Sequence, residues 1–236
     1  MGNTVRIKVG GDYACFTRPE FKVERVSYPC MTPSAARGVL EAIYWKPEFR
    51  WEVREIHVLK PIKQVSILRN EIDCRQPARG DPILVEDRRQ QRTSLVLRDV
   101  EYVILAEPIS RPYDRDNPRK HAECFTRRLD RGQCHHTPCL GTREFALWFE
   151  PARDDDRPAD INQHFGQMLF DIAFCEGAAQ QQNLRFYRKD NHGCRREVLG
   201  YARAIFFPAH IGATYPGVLT VPSEKYNEKY GLEGGL

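Results

Sequence analysis

The chain has 236 residues, enough for one large domain or two small ones with a sizeable core. Hydrophobic residues make up 41% and charged residues 29%, with a net charge of +4, so the composition is that of an ordinary soluble globular protein and charge alone does not argue for nucleic acid. The eight cysteines lack disulfide-scaffold spacing and read as reduced thiols, and no stretch approaches the roughly 20 apolar residues of a membrane span.

The N-terminus has no signal-peptide core, and Met1-Gly2 fails as a myristoylation start because Arg6 stands where Ser or Thr is needed. A cytoplasmic protein with no membrane contact is expected. The kind of cation is more telling: 27 Arg face only 9 Lys. Arginine suits bidentate phosphate contacts and stacking on bases, although a GC-rich genome gives the same bias.

In chain order, Val5, Ile7 and Val9 alternate with Arg6 and Lys8, which predicts a half-buried strand. Thr32-Pro33 caps a helix running to about Trp45, with Ala36, Val39, Leu40 and Ile43 inward and Pro47 beyond its end. Strands are expected at Trp51–Leu59, Gln64–Ile72 and Thr93–Leu105. Between the last two lies a polar hairpin tip, Asp73 to Arg92, with Arg75, Arg79, Arg88, Arg89 and Arg92 among acidic Asp73, Asp81, Glu86 and Asp87.

Asn117-Pro118 then reads as an N-cap and first helical residue, with Ala122, Phe125 and Leu129 at helical spacing and Gly132 as the stop. A last strand at Arg143–Phe149 completes a β-α-β-β-α-β order with an elongated hairpin. The fold class expected is therefore α+β: an N-terminal ferredoxin-like (RRM-like) domain over residues 1–150. The charged, proline-flanked stretch from Glu150 to Pro158 marks a boundary, and Asp154–Asp156 within it reads as solvated. A small C-terminal β-rich domain over residues 151–236 follows, with strands at Leu169–Phe174, Leu184–Arg188, Tyr201–Phe207 and Val218–Val221 and a frayed tail from Gly231 to Leu236.

Arg119-Lys120-His121 in the first turn of the second helix opposes the helix dipole, which suggests that an anion belongs there. In a split βαβ plan the end of the first helix and the start of the second share one end of the sheet. Tyr44 therefore converges on Lys120 and His121. These three groups suit a metal-free ribonuclease, in which the RNA 2′-hydroxyl attacks phosphorus and the protein supplies proton transfer and charge. Tyr44 would orient the 2′-hydroxyl, His121 move protons and Lys120 stabilise the phosphorane. As a base, a tyrosine of ordinary pKa is ionised in only about one molecule in a thousand at pH 7, unless Lys120 lowers that pKa. Arg119, Arg127, Arg128 and Arg131 on the second helix are candidate phosphate contacts, with Arg88, Arg89 and Arg92 of the hairpin tip as a further set.

Other motifs carry less. Cys134-His135-His136-Thr137-Pro138-Cys139, with Cys124 nearby, has no second ligand pair and reads as a loop, so no metal site is expected. Gly10-Gly11 is no nucleotide fingerprint.

The run Tyr28-Pro29-Cys30-Met31-Thr32-Pro33-Ser34-Ala35-Ala36-Arg37-Gly38, continuing through Glu41-Ala42-Ile43-Tyr44-Trp45-Lys46-Pro47, resembles the Cas5 family of type I-C CRISPR systems, d (Dvulg) subtype. Ser94-Leu95-Val96-Leu97-Arg98-Asp99-Val100, Arg127-Arg128, Gly132-Gln133 and Pro138 through Leu140-Gly141 to Arg143-Glu144-Phe145 carry the same resemblance, with Cys139 where the family often has tyrosine. It implies an endoribonuclease that recognises the CRISPR repeat hairpin and cuts pre-crRNA on the hairpin's 3′ side; the 2′-hydroxyl attack read from the three groups needs no cofactor and leaves a 2′,3′-cyclic phosphate. It also implies retention on the crRNA 5′ handle, with the other subunits of the interference complex as partners. Tyr44, Lys120 and His121 match the family's proposed catalytic Tyr, Lys and His. The alternatives are a non-cutting crRNA-binding subunit and a metal-dependent DNase acting on duplex DNA.

Overall fold

The computed structural model describes residues 3–21, 24–74, 82–177, 184–189 and 192–230. Met1-Gly2, Arg75, Arg79 and Asp81 of the hairpin tip, and the segment from Gly231 to Leu236 lie outside them. The elements run β1 (Val5–Ala14), β2 (Arg25–Val26), α1 (Pro33–Ile43), β3 (Phe49–Val58), β4 (Gln64–Ile72), β5 (Arg89–Ser110) and α2 (Pro118–Asp130). Then come β6 (Trp148–Pro151), β7 (Gln163–Glu176), β8 (Leu184–Lys189), β9 (Arg195–Ile211), β10 (Val218–Thr220) and α3 (Glu224–Tyr230). Sheet dominates this α+β fold. Among the described residues no helix is long and apolar enough to cross a membrane.

The strands join one sheet in the order β6-β1-β5-β3-β10-β9-β7, with β2 and β4 on β5 and β8 on β9. Antiparallel pairing aligns Val9, Tyr102 and Val58, then Ile7, Ile104 and Ile56, so the alternating apolar residues of β1 meet those of β5 and β3 in rows. All six are buried. Against this part of the sheet α1 packs on β3, while α2 packs on β5, β6 and β1. Short β10 pairs with both β3 and β9 and carries the sheet into the C-terminal strands. There α3 is pinned by Tyr226, whose hydroxyl donates to the Val53 carbonyl at 3.0 Å.

The structure differs from the expected elements in several places. The strand expected at Arg143–Phe149 begins only at Trp148, because the preceding residues fold into a turn in which the Phe145 amide donates to Thr142 at 3.1 Å. Trp148 can pair there because Gly10 faces it: a Cβ on Gly10 would lie 2.4 Å from the indole. Strand β5 is 22 residues long, starting four residues before the expected Thr93, and its first half forms the hairpin with β4. Asp156 is not solvated. Its side chain is 7% exposed and meets Lys8 at 2.7 Å, whereas Asp154 is fully exposed beside Arg6. Helix α3 was not expected.

Candidate active site at the junction of the two helices

Both helices begin as their sequences dictate. The Thr32 hydroxyl accepts from the Ala35 amide at 3.2 Å, and the Asn117 side chain accepts from the Lys120 amide at 2.9 Å, each followed by proline in the first turn. Gly132, with φ of 61°, ends α2 in the left-handed conformation.

Helix α1 stops at Ile43, short of the expected Trp45. Tyr44 is its C-cap and leaves in an extended conformation, with φ −150° and ψ 121°. That turn sends the tyrosine ring across to α2. The Trp51 indole donates to the Tyr44 carbonyl at 3.0 Å, the Phe49 ring stacks on the phenol at 5.5 Å between centroids, and the Arg128 guanidinium covers it at 5.2 Å.

The Tyr44 hydroxyl lies 3.1 Å from His121 Nδ1. On the other side of the ring, Nε2 lies 3.0 Å from Asp114 Oδ2. Phe49 stacks on the imidazole as well, at 4.3 Å. His121 has no exposed surface, and Tyr44 is 5% exposed. Burial, followed by the neighbouring Cys124 thiol, pushes the Tyr44 hydroxyl up to about 12. Lys120, the group that could have lowered it, bonds elsewhere.

Lys120 is exposed and reaches Asp116 Oδ1 at 2.6 Å, and Lys46 approaches Asp116 Oδ2 at 3.4 Å. The Asp116 carboxyl is held below the usual range, first by the Lys120 bond and also by Lys46. The anion suggested by the basic first turn of α2 is thus present within the chain. Asp114 and Asp116 line a cleft of about 460 Å³ together with Lys46, Glu48, Arg115 and His192. Asp114, Asp116 and Lys46 were missed in the sequence. The available signal was an acidic pair immediately before the cap of a helix whose own first turn holds no acid.

The arginines divide. Arg128 donates to the Ile43 carbonyl at 2.8 Å and so ties α2 to the end of α1. Arg119, Arg127 and Arg131 line a separate groove between α2 and the start of β1, where Arg119 also pairs with Glu123 at 3.0 Å. On the β4–β5 hairpin, Arg88 is 3.8 Å from Asp73, Arg92 is 3.9 Å from Glu71, and Arg89 is exposed. The Cys134–Cys139 segment caps the end of α1, with the His135 amide donating to the Ala42 carbonyl at 2.7 Å. Among the described residues no group of three or more His, Cys, Asp or Glu could hold a metal ion.

Residues 4–187 match the family model for Cas5d, a CRISPR-associated protein (Cas_Cas5). The chain belongs to the Cas5d family. It is 53% identical over 231 residues to a Thermus thermophilus protein named CRISPR pre-crRNA endoribonuclease Cas5d, covering 98% of this chain and 96% of that one. A Mannheimia succiniciproducens protein of the same name is 44% identical over 198 residues, covering 75% and 88%. The solved structure of a CRISPR-associated protein superposes with a TM-score of 0.59 at 21% identity, covering 94% and 93%, and at that identity the likeness speaks for the fold alone.

Proposed function

We propose that this Cas5d protein is a pre-crRNA endoribonuclease that recognises the CRISPR repeat hairpin, cuts it by 2′-hydroxyl attack and stays with the crRNA 5′ handle in the cytoplasmic interference complex. The names of its two relatives support the activity. The observation that carries the site assignment is the 3.1 Å contact between Tyr44 and His121, 77 positions apart in sequence. We read residues 1–150, with the strand order β6-β1-β5-β3, as the ferredoxin-like catalytic part and 151–236 as the C-terminal β-rich part.

Tyr44 is 5% exposed and His121 not at all, so in this reading Tyr44 meets the RNA and His121 stands behind it. The 2′-hydroxyl proton passes to the Tyr44 oxygen as the Tyr44 proton passes to His121 Nδ1. The O2′–P bond forms and the P–O5′ bond breaks. Lys120 stabilises the phosphorane and protonates the departing O5′, then regains a proton from water. His121 returns its proton through Tyr44 to solvent. Passing the proton on avoids a free phenolate, which at a pKa of about 12 is populated in only about one molecule in 10⁵ at pH 7. The exposed arginines of α2 and of the hairpin supply phosphate contacts.

Incubation of the protein with its repeat RNA in EDTA tests this. Cleavage should persist and leave a 2′,3′-cyclic phosphate and a 5′-hydroxyl, and one 2′-deoxy substitution at the cut nucleotide should block it. Efficient cutting of the deoxy substrate would sink the mechanism. A second reading, the non-cutting crRNA-binding subunit, is favoured by the complete burial of His121, which suits a brace between α1 and α2. Tight hairpin binding without any cleavage would select it.

A further inference from the structure

The proposed chemistry depends on which nitrogen of His121 carries hydrogen, and Asp114 determines that. Asp114 sits in the turn between β5 and α2, with its side chain 1% exposed. Its Oδ2 faces Nε2 at 3.0 Å while Oδ1 accepts the Asp116 amide at 2.9 Å. The turn is held as well: the Asp114 amide donates to the Arg111 carbonyl at 2.9 Å, and the Tyr113 hydroxyl donates to the Pro47 carbonyl at 2.8 Å.

Burial alone would raise the Asp114 carboxyl, but the neighbouring Ser110 hydroxyl, the Asp116 amide and His121 overcome it and hold it below the usual range. It is ionised at neutral pH. A carboxylate only accepts, so Nε2 must carry a hydrogen. In a neutral imidazole the other nitrogen then presents its lone pair, and the Tyr44 hydroxyl must donate to it. Every bond in the chain from Asp114 to Tyr44 has one direction.

We propose that Asp114 is the positioning residue of the nuclease site, fixing His121 in the Nε2–H form so that Nδ1 can take the Tyr44 proton as Tyr44 draws one from the 2′-hydroxyl. Its negative charge also stabilises the imidazolium that forms. The role rests on the ribonuclease reading and deepens it. With its side chain 1% exposed, Asp114 acts through His121.

Asp114→Asn is nearly isosteric, but its amide can donate to Nε2, which leaves the hydrogen on Nδ1 facing Tyr44. The variant should keep hairpin affinity and lose single-turnover cleavage by about 10²–10⁴-fold, the scale on which a wrong tautomer acts. Asp114→Glu, which keeps the charge, should recover part of the rate. The ¹⁵N spectrum of histidine-labelled wild-type protein reads the tautomer directly, with the His121 signals identified by their loss in His121→Gln. Nε2 should be the protonated nitrogen. A protonated Nδ1 in the wild type, or wild-type cleavage by folded Asp114→Asn, would overturn the proposal. Should Asp114→Asn not fold, the wild-type spectrum decides. A wild type that cuts no RNA defeats the ribonuclease reading itself, and the spectrum still tests the hold of Asp114 on His121.

Discussion

Tyr44 and His121 close the junction of α1 and α2 with a 3.1 Å hydrogen bond inside an aromatic cage. Tyr44→Phe keeps the stacking on Phe49 and removes only the hydroxyl. From sequence that change looks nearly neutral for folding. The structure alters the expectation, because it leaves a fully buried imidazole nitrogen without its partner. Such a vacancy costs about 1–3 kcal/mol. Thermal melts should show that loss, RNA affinity should hold, and cleavage should become slow. Wild-type cleavage in Tyr44→Phe would remove the hydroxyl from the mechanism.

The pH dependence separates a relay from a lone tyrosine base. Burial and Cys124 hold the Tyr44 hydroxyl at about 12. If the phenolate were the working base, the rate would climb tenfold per pH unit towards that value. With the proton passed on to His121, the single-turnover rate should level off well below it. A log-linear rise through pH 10 would favour the phenolate.

The arginines of α2 should separate binding from stability. Arg127 and Arg131 are exposed, lie four residues apart and share one groove, whereas Arg128 reaches the Ile43 carbonyl. Charge reversal at Arg127 and Arg131 together should weaken RNA binding and flatten its salt dependence, with a modest fall in melting temperature from the lost basic charge at the end of α2. Arg128→Ala should mainly lower stability, through the lost bond to α1. An unchanged salt slope in the double variant would move the RNA towards Arg88, Arg89 and Arg92 of the hairpin.

What could be read from sequence was local. Thr32-Pro33 and Asn117-Pro118 are cap signals that need no tertiary knowledge, and the alternation at Val5, Ile7 and Val9 identifies a strand by itself. Placing Tyr44 near His121 needed only the topology of helices and strands. Asp114 escaped because its role exists only when the β5–α2 turn is folded against His121. Strand β6 was misplaced because its start depends on Trp148 fitting over Gly10, a fact about two distant residues.

Asp171 tests what holds the C-terminal helix. Its side chain, 7% exposed, accepts from Arg37 of α1 at 2.9 Å and also bonds Lys229 of α3. Asp171→Ala would take a buried anion from Lys229 and Arg37, while Arg37 keeps Glu41 at 2.7 Å, so the loss should fall below the about 3–5 kcal/mol of a fully broken buried pair. Burial would raise the Asp171 carboxyl, but Arg37, whose charge is fixed, and Lys229 hold it below the usual range. The stabilisation is therefore complete from the ordinary aspartate value near pH 4 up to neutrality, burial having brought Lys229 down to about 8, and is lost as pH falls through the lowered carboxyl value. Wild type and Asp171→Ala should differ most at neutral pH and converge in acid. A constant difference down to pH 2 would assign the effect to packing.

Asp116 lies between Lys46 and Lys120, one lysine on each oxygen. Asp116→Asn removes the charge while its backbone amide still serves Asp114. Both lysines are then released to meet RNA. Hairpin binding should tighten at low salt, and its salt dependence should steepen by about 0.7–0.9 for each lysine that engages a phosphate. Adding Lys46→Ala and Lys120→Ala in the same background should cancel that gain. Lys120→Ala by itself should cut cleavage by about 10²–10⁴-fold with a small change in affinity, since it is the cation assigned to the phosphorane. If Asp116→Asn leaves the salt slope of binding unchanged, neither lysine meets the RNA backbone and the anion site of α2 belongs to Asp116 alone.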